Sequence, residues 1–198
     1  MAIVVRVSGP ESDKPCRVAF SSDLDQITRA AAGDAAAVRA LVNRYSPGVL
    51  SLATRMLSDR GEAEDVTQET FIRAWKALPG WEPRAKFSTW LHRVALNLCY
   101  DRLRKRRESL PGELPDLADT RLSPQEALDQ SQRVLAIEQA ISALPERQSA
   151  ALTLCALQGH SQAEAAEIMD VSVEALESLL ARARRTLRAH LLERSPSP

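Results

Sequence analysis

Five cations, Arg102, Arg104, Lys105, Arg106 and Arg107, stand within six consecutive positions, directly behind Phe87, Trp90 and Tyr100 in the stretch FSTWLHRVALNLCYDRLRKRRE, residues 87–108. All three tryptophans, Trp75, Trp81 and Trp90, fall within sixteen residues. Aromatic planes beside Lys and Arg suit an unpaired nucleic-acid strand. Each base stacked on a ring contributes about 1–3 kcal/mol, and the cations follow the phosphates. Duplex readout does not require tryptophans, so this pattern points to single-stranded DNA or RNA. Trp81, in a loop, and Trp90, beside Arg93, are the candidate stacking rings, whereas Phe71 and Trp75 are expected to be core in a chain with few other large residues. No catalytic constellation accompanies them. His92, His160 and His190 stand at no ligand spacing from Cys16, Cys99 and Cys155, and the carboxylates do not gather around any of them. The reading is a protein that is not an enzyme, with no metal and no cofactor.

A second nucleic-acid signal lies in SQAEAAEIMDVSVEALESLLARARRTLRAHL, which has helix-turn-helix proportions. Ser161 and Glu164 are spaced as a capping box opening the short helix. Asp170 sits where the chain must reverse, in a conformation Asp tolerates. In the last helix Leu176, Leu180, Ala183, Leu187 and Leu191 line one face and Ser178, Arg182, Arg185 and Arg188 another. Such a helix can lie in a major groove, its first residues reaching base edges and its later arginines holding phosphates. A third face is acidic. In the helix from about Glu62 to Leu78, Val66, Thr70, Phe71, Ala74 and Trp75 point inward, leaving Asp65, Gln68, Glu69, Ile72 and Lys76 outside, an apolar centre with a polar rim that suits protein docking.

The elements that must position these residues are all helical. At 198 residues with 44% hydrophobic and 4% aromatic content, the chain suits Ala/Leu-rich helices, and no strand pattern or internal repeat competes. Net charge is zero, but residues 81–107 carry +6, 108–130 carry −5, 131–174 carry −4 and 175–194 carry +3. Two cationic islands are held apart by an acidic stretch. The expected organisation is all-α, with residues 1–22 a poorly ordered leader and residues 23–107 a first helical domain, its first helix opening at an Asp23/Gln26 capping box and breaking near Gly33-Asp34. The linker is 108–124, acidic and Pro-rich, and the second domain 125–194 carries the helix-turn-helix. Within these, Ser88 is the expected N-cap of the aromatic-cationic helix, and Val134, Ile137, Ile141 and Leu144 form a helical stripe before a break at Pro145. No run of eighteen apolar residues is present and the start is too soon broken for a signal sequence, so no membrane insertion and a cytoplasmic location are expected.

With both blocks read, the sequence resembles the extracytoplasmic-function sigma factors, the small two-domain members of the sigma-70 family of bacterial RNA polymerase. AEDVTQETFIRAWKAL is similar to the family's core-binding helix, FSTWLHRVALNLCYDRLRKRRE to its promoter-melting and −10-reading helix, and LPERQSAALTLCALQGHSQAEAAEIMDVSVEALESLLARARRTL to its −35-reading domain. The likeness covers about residues 23–192, in the family's order. It implies core RNA polymerase as partner, through the β′ coiled coil and the β flap, with Asp65, Gln68, Glu69, Ile72 and Lys76 at the coiled coil. It implies promoter DNA as the second partner. The loop Gly80–Lys86 stands where the family captures a flipped base, and Trp81, Arg84, Lys86, Trp90, Arg93, Asn97 and Arg104 stand at the −10 element, Asn97 closing the W-L-x-R-x-A-x-N pattern. Glu174, Ala175, Glu177, Ser178, Arg182 and Arg185 stand at the −35 element. The resemblance also implies an anti-sigma protein as regulator, with a stress response as setting. One departure is plain: where the family commonly reads G-T-V-K-S-R, this chain has Glu174-Ala175-Leu176-Glu177-Ser178-Leu179, so a −35 sequence unlike the commonest one is expected. Two rivals remain at this stage, a sigma-shaped decoy that titrates a regulator and a plain helix-turn-helix repressor.

Overall fold

The computed structural model describes residues 15–81, 85–109, 141 and 143–193. Helix α1 spans Pro15–Ala31, α2 Ala35–Leu57, α3 Arg60–Ala77 and α4 Phe87–Ser109, with a 3-10 turn at Leu78–Gly80. After the linker come α5 (Glu146–Leu152), a π turn at Thr153–Leu157, α6 (Gln162–Met169) and α7 (Val173–Glu193). There is no strand among the described residues.

Local chemistry sets the joints of the first half. Gly33, at φ +89°, closes α1, and the Asp34 carboxylate then accepts from Ala36 N at 2.8 Å and Ala37 N at 3.3 Å, satisfying the first free amides of α2. The same carboxylate accepts from the Arg29 guanidinium at 2.6 Å, tying the two helices at their corner. Helix α2 ends at Ser58, in the left-handed region at φ 52°, and Asp59 caps α3 by accepting from Glu62 N at 2.8 Å.

These joints stack α2, α3 and α4 around one core. Leu41, Val49, Leu52, Val66 and Leu91 are wholly buried, and Ala53, Ala63, Ala74 and Ala95 are buried with them, small enough to let the helix axes approach closely. Thr70 is buried without penalty because its hydroxyl donates to Val66 O at 2.7 Å. Helix α1 lies on α2 through Ile27 and Ala30, and the Asp23 carboxylate accepts from Arg44 at 2.6 Å and from the Tyr45 hydroxyl.

Several expectations change at the ends of elements. Helix α1 begins at Pro15, eight residues ahead of Asp23. Asp23 therefore lies inside a helix, and its carboxylate serves α2 rather than a cap. Residues 1–14 of the expected leader lie outside the described residues. Ser88 is likewise no cap: Trp90 N already donates to Lys86 O at 3.1 Å, so the helical ladder starts ahead of Ser88. Trp75 is half-buried rather than fully inside. Helix α4 continues to Ser109, past the expected boundary at 107. The rest of the linker, together with Val134 and Ile137, lies outside the described residues.

In the second half Leu154, Ala165, Ile168 and Leu176 are buried in a cluster continuous with the core of the first half, and Ile141, Leu144, Leu152 and Ala183 form a smaller separate one. The capping box is formed as its spacing requires. Ser161 Oγ accepts from Glu164 N at 3.2 Å while Glu164 Oε2 accepts from Ser161 N at 3.1 Å. Asp170 turns the chain at φ 53°, and Ser172 Oγ then accepts from Ala175 N at 3.2 Å to open α7.

Candidate nucleic-acid and protein-docking interfaces

The aromatic cluster is built by the entry into α4. Phe87 is 3% exposed and anchors it, meeting the edge of Tyr45 at 5.7 Å between ring centroids. Trp81 stands nearly perpendicular to both Phe87 (5.4 Å, 84°) and Trp90 (5.3 Å, 82°), while Phe87 and Trp90 lie almost parallel at 6.3 Å and 14°. Edge-to-face contacts of this kind hold ring orientation beyond what burial alone supplies. Trp81 and Trp90 are half-buried, so each keeps surface for a partner, and Asn97 is exposed two turns along α4. Arg84 lies outside the described residues.

The cations beside these rings are already engaged. Lys86 Nζ donates to Glu164 Oε1 of α6 at 2.6 Å. The Arg93 guanidinium donates through both Nε and Nη2 to the Glu167 carbonyl at the other end of α6, and Nη2 stands 3.7 Å from Asp170 Oδ1. The 102–107 run is not one open patch either. Arg106 donates to Glu62 Oε2 at 2.9 Å and to Leu57 O at 3.4 Å, clipping α4 to α2 and α3. Arg102 reaches Asp65 at 3.6 Å and Arg107 reaches Glu146 of α5 at 3.2 Å, whereas Arg104 pairs within its own helix with Asp101 and Glu108. Three of the five cations in that run thus fasten helices together.

Between α3 and α4 runs a groove of about 690 Å³ lined by Glu62, Asp65, Gln68, Glu69, Ile72 and Arg73 on one side and Leu98, Asp101, Arg102, Lys105 and Arg106 on the other. Ile72, 39% exposed, is its apolar centre, with Leu98 set deeper at 9%. Asp65, Gln68, Glu69 and Ile72 are brought together as the spacing expected; Lys76 is exposed in the last turn of α3 but does not line the groove.

On α7 the two faces separate cleanly. Leu176, Leu180 and Ala183 are buried, and Glu174, Ala175, Glu177, Ser178, Arg182 and Arg185 are all exposed. The Glu174 carboxyl is held below its ordinary pKa by its own backbone N–H and the Ser172 hydroxyl, so it stands ionised at the start of the helix.

Two histidines missed as a pair meet between the halves. The His92 and His160 rings touch edge to face at 5.0 Å and 76°, and His92 Nδ1 lies 2.8 Å from Ser88 O. Burial lowers the pKa of both; at His160 Glu164 works against that shift and Lys86 with it. Nearby, Gln158 Nε2 donates to Gly48 O at 2.8 Å. Residues so distant in the chain carry no spacing signal. The Cys99 thiol is buried and pushed up to about 12, which marks it as a core residue rather than a reactive one. Among the described residues no group of three or more His, Cys, Asp or Glu could hold a metal ion, and no helix is long and apolar enough to cross a membrane.

Comparison with known proteins places both halves in one family. The Sigma-70 region 2 family matches residues 41–109, which hold the groove and the α4 face, and the Sigma-70 region 4 family matches residues 135–187, which hold the α7 face. The chain is 33% identical over 171 residues to the ECF RNA polymerase sigma factor SigW of Bacillus subtilis, covering 80% of this chain and 91% of SigW. It is 32% identical over 172 residues to the ECF RNA polymerase sigma factor SigE of Mycolicibacterium smegmatis, covering 83% of this chain and 66% of SigE. Among solved structures, CnrH in complex with the cytosolic domain of CnrY superimposes with a TM-score of 0.68 at 28% identity, covering 88% of this chain and 99% of CnrH. The chain belongs to the extracytoplasmic-function sigma factors of the sigma-70 family, which direct RNA polymerase to promoters.

Proposed function

We propose that this chain acts without catalysis, in the cytoplasm, and that each of its three faces has a separate partner. The α3–α4 groove receives the β′ coiled coil of core RNA polymerase, its rim of Asp65, Gln68 and Glu69 pairing with polar groups around the apolar contact at Ile72. The Trp81–Phe87–Trp90 cluster, with Lys86, Arg93, Asn97 and Arg104, takes the −10 element. There the cost of unstacking a base, a few kcal/mol, is offset by stacking on half-exposed tryptophan surface. The α7 face takes the −35 element, with Arg182 and Arg185 at phosphates and Glu174, Ala175, Glu177 and Ser178 nearer the base edges. An ionised Glu174 accepts from cytosine N4 and repels phosphate, which supports a −35 sequence unlike the family's commonest one. The domains follow as 23–107 and 125–194, with 108–124 between them, and an anti-sigma protein is the expected regulator.

The observation that carries this reading is the groove, where an exposed Ile sits between acidic and amide side chains of α3 and the guanidinium wall of α4. In vitro transcription with purified core enzyme on fragmented genomic DNA tests it. Transcripts with defined starts that require the chain support the reading; no transcript from any template points to a decoy, and tight duplex binding with no need for polymerase points to a repressor.

A further inference from the structure

The outer stripe of α7 has a profile as well as a charge pattern. At 3.6 residues per turn, Glu174, Ser178, Ala181 and Arg185 fall in one line opposite the buried Leu176, Leu180 and Ala183, and all four are exposed. Glu177 and Arg182 stand on the two shoulders of that line. Followed along the helix, the side chains run long, short, short, long. At a rise of 1.5 Å per residue the two long ones lie about 16.5 Å apart, with the two short ones between them. A straight helix meets a curved groove most closely at one place and diverges from it towards both ends. Small residues at the centre let the backbone come down to the base edges, and longer ones at the ends span the widening gap. Among the described residues no ion pair or side-chain hydrogen bond holds Ser178 or Arg185, so the stripe is open to a partner.

Resting on the functional reading above, we propose that α7 seats in the major groove at Ser178 and Ala181, about two turns into the helix, and that Ala181 is a specificity-determining residue whose methyl group packs against the 5-methyl of a thymine in the −35 element. The Ala side chain has neither donor nor acceptor, and the thymine methyl is the apolar group that distinguishes a base pair in that groove. The rest of the stripe then sets an order. The ionised Glu174 takes an amino group, which there belongs to cytosine N4 or adenine N6. Ser178 either donates or accepts, so it discriminates least. Seven residues separate Glu174 from Ala181, about 10.5 Å along the axis, and base pairs stack about 3.4 Å apart, so the methyl stands about three base pairs from the amino group. Arg185 reaches phosphate beyond it. An exposed Ala also favours the helix as such, and that role alone would leave DNA binding indifferent to the residue.

The test uses holoenzyme assembled from the full chain and purified core enzyme, with −35 sequences selected from a randomised pool. The wild-type selection is expected to show an amino-bearing base and a thymine about three base pairs apart. Replacing that thymine by deoxyuridine deletes the methyl and nothing else, and should weaken holoenzyme binding about three- to fivefold, the worth of one buried methyl group. Ala181→Gly removes the protein's half of the contact and should bind both templates equally. Ala181→Gln keeps a good helix former at an exposed position, so folding should survive, with circular dichroism as the control for both variants. Its longer side chain lifts the helix off its seat and should lower affinity for every −35 sequence about tenfold. A wild-type holoenzyme indifferent to deoxyuridine at every thymine it selects overturns the proposal. So does a deoxyuridine effect that persists unchanged in Ala181→Gly, or an Ala181→Gln variant that binds as the wild type does. Initiation separates this inference from the reading it rests on. A holoenzyme that starts transcripts at defined sites and keeps its Glu174-dependent preference, yet ignores the methyl, removes only the assignment of Ala181. A chain that yields no transcript from any template removes the functional reading itself.

Discussion

Ile72 is where the functional reading meets a number. The side chain is 39% exposed at the centre of the α3–α4 groove. Burying a whole Ile side chain is worth about 1.5–3 kcal/mol, so sealing the remaining surface under a partner contributes about 0.6–1.2 kcal/mol. Ile72→Ala should then weaken association with core polymerase about three- to eightfold. Ile72→Glu should do far more. It places a carboxylate beside Gln68 and Glu69 at the point of closest contact, and an unpaired buried charge adds several kcal/mol, for a loss on the order of a hundredfold or greater. Neither change should alter folding by more than about 0.5 kcal/mol, because the position is open in the free chain. The assay is equilibrium titration of labelled chain with purified core enzyme, with urea unfolding of each variant as the control. If Ile72→Glu binds core enzyme as tightly as wild type while folding equally well, the docking face lies elsewhere.

Three further outcomes follow from the same geometry. Leu91→Ala, at a wholly buried site on α4, should lower unfolding stability by about 2–5 kcal/mol in denaturant titration. Arg182→Ala on the exposed face of α7 should weaken promoter binding by the holoenzyme across all −35 sequences and reduce the log–log salt slope by about 0.9, whereas Glu174→Ala should relax preference at a single base pair by about 1–3 kcal/mol in a binding-site selection.

The sequence carried the parts of this structure that are local. Ser161 and Glu164 are three residues apart, and nothing beyond that spacing is needed to form the box that opens α6. Asp170 occupies the left-handed turn its position called for, and the periodicity of α3 separated Val66, Thr70, Phe71 and Ala74 from the groove residues because a 3.6-residue repeat needs no partner to be read. What the sequence could not carry is direction. The segment 81–107 counts as +6 wherever its cations point, yet Arg106 turns inward to Glu62 and Leu57 O, and Arg107 crosses to Glu146. The same limit hid α6 over Lys86 and Arg93, since an ion pair between residues 86 and 164 leaves no trace in spacing. At Asp23 a correct local pattern lost to a tertiary one: Arg44 and Tyr45 claim the carboxylate while the helix runs on through it.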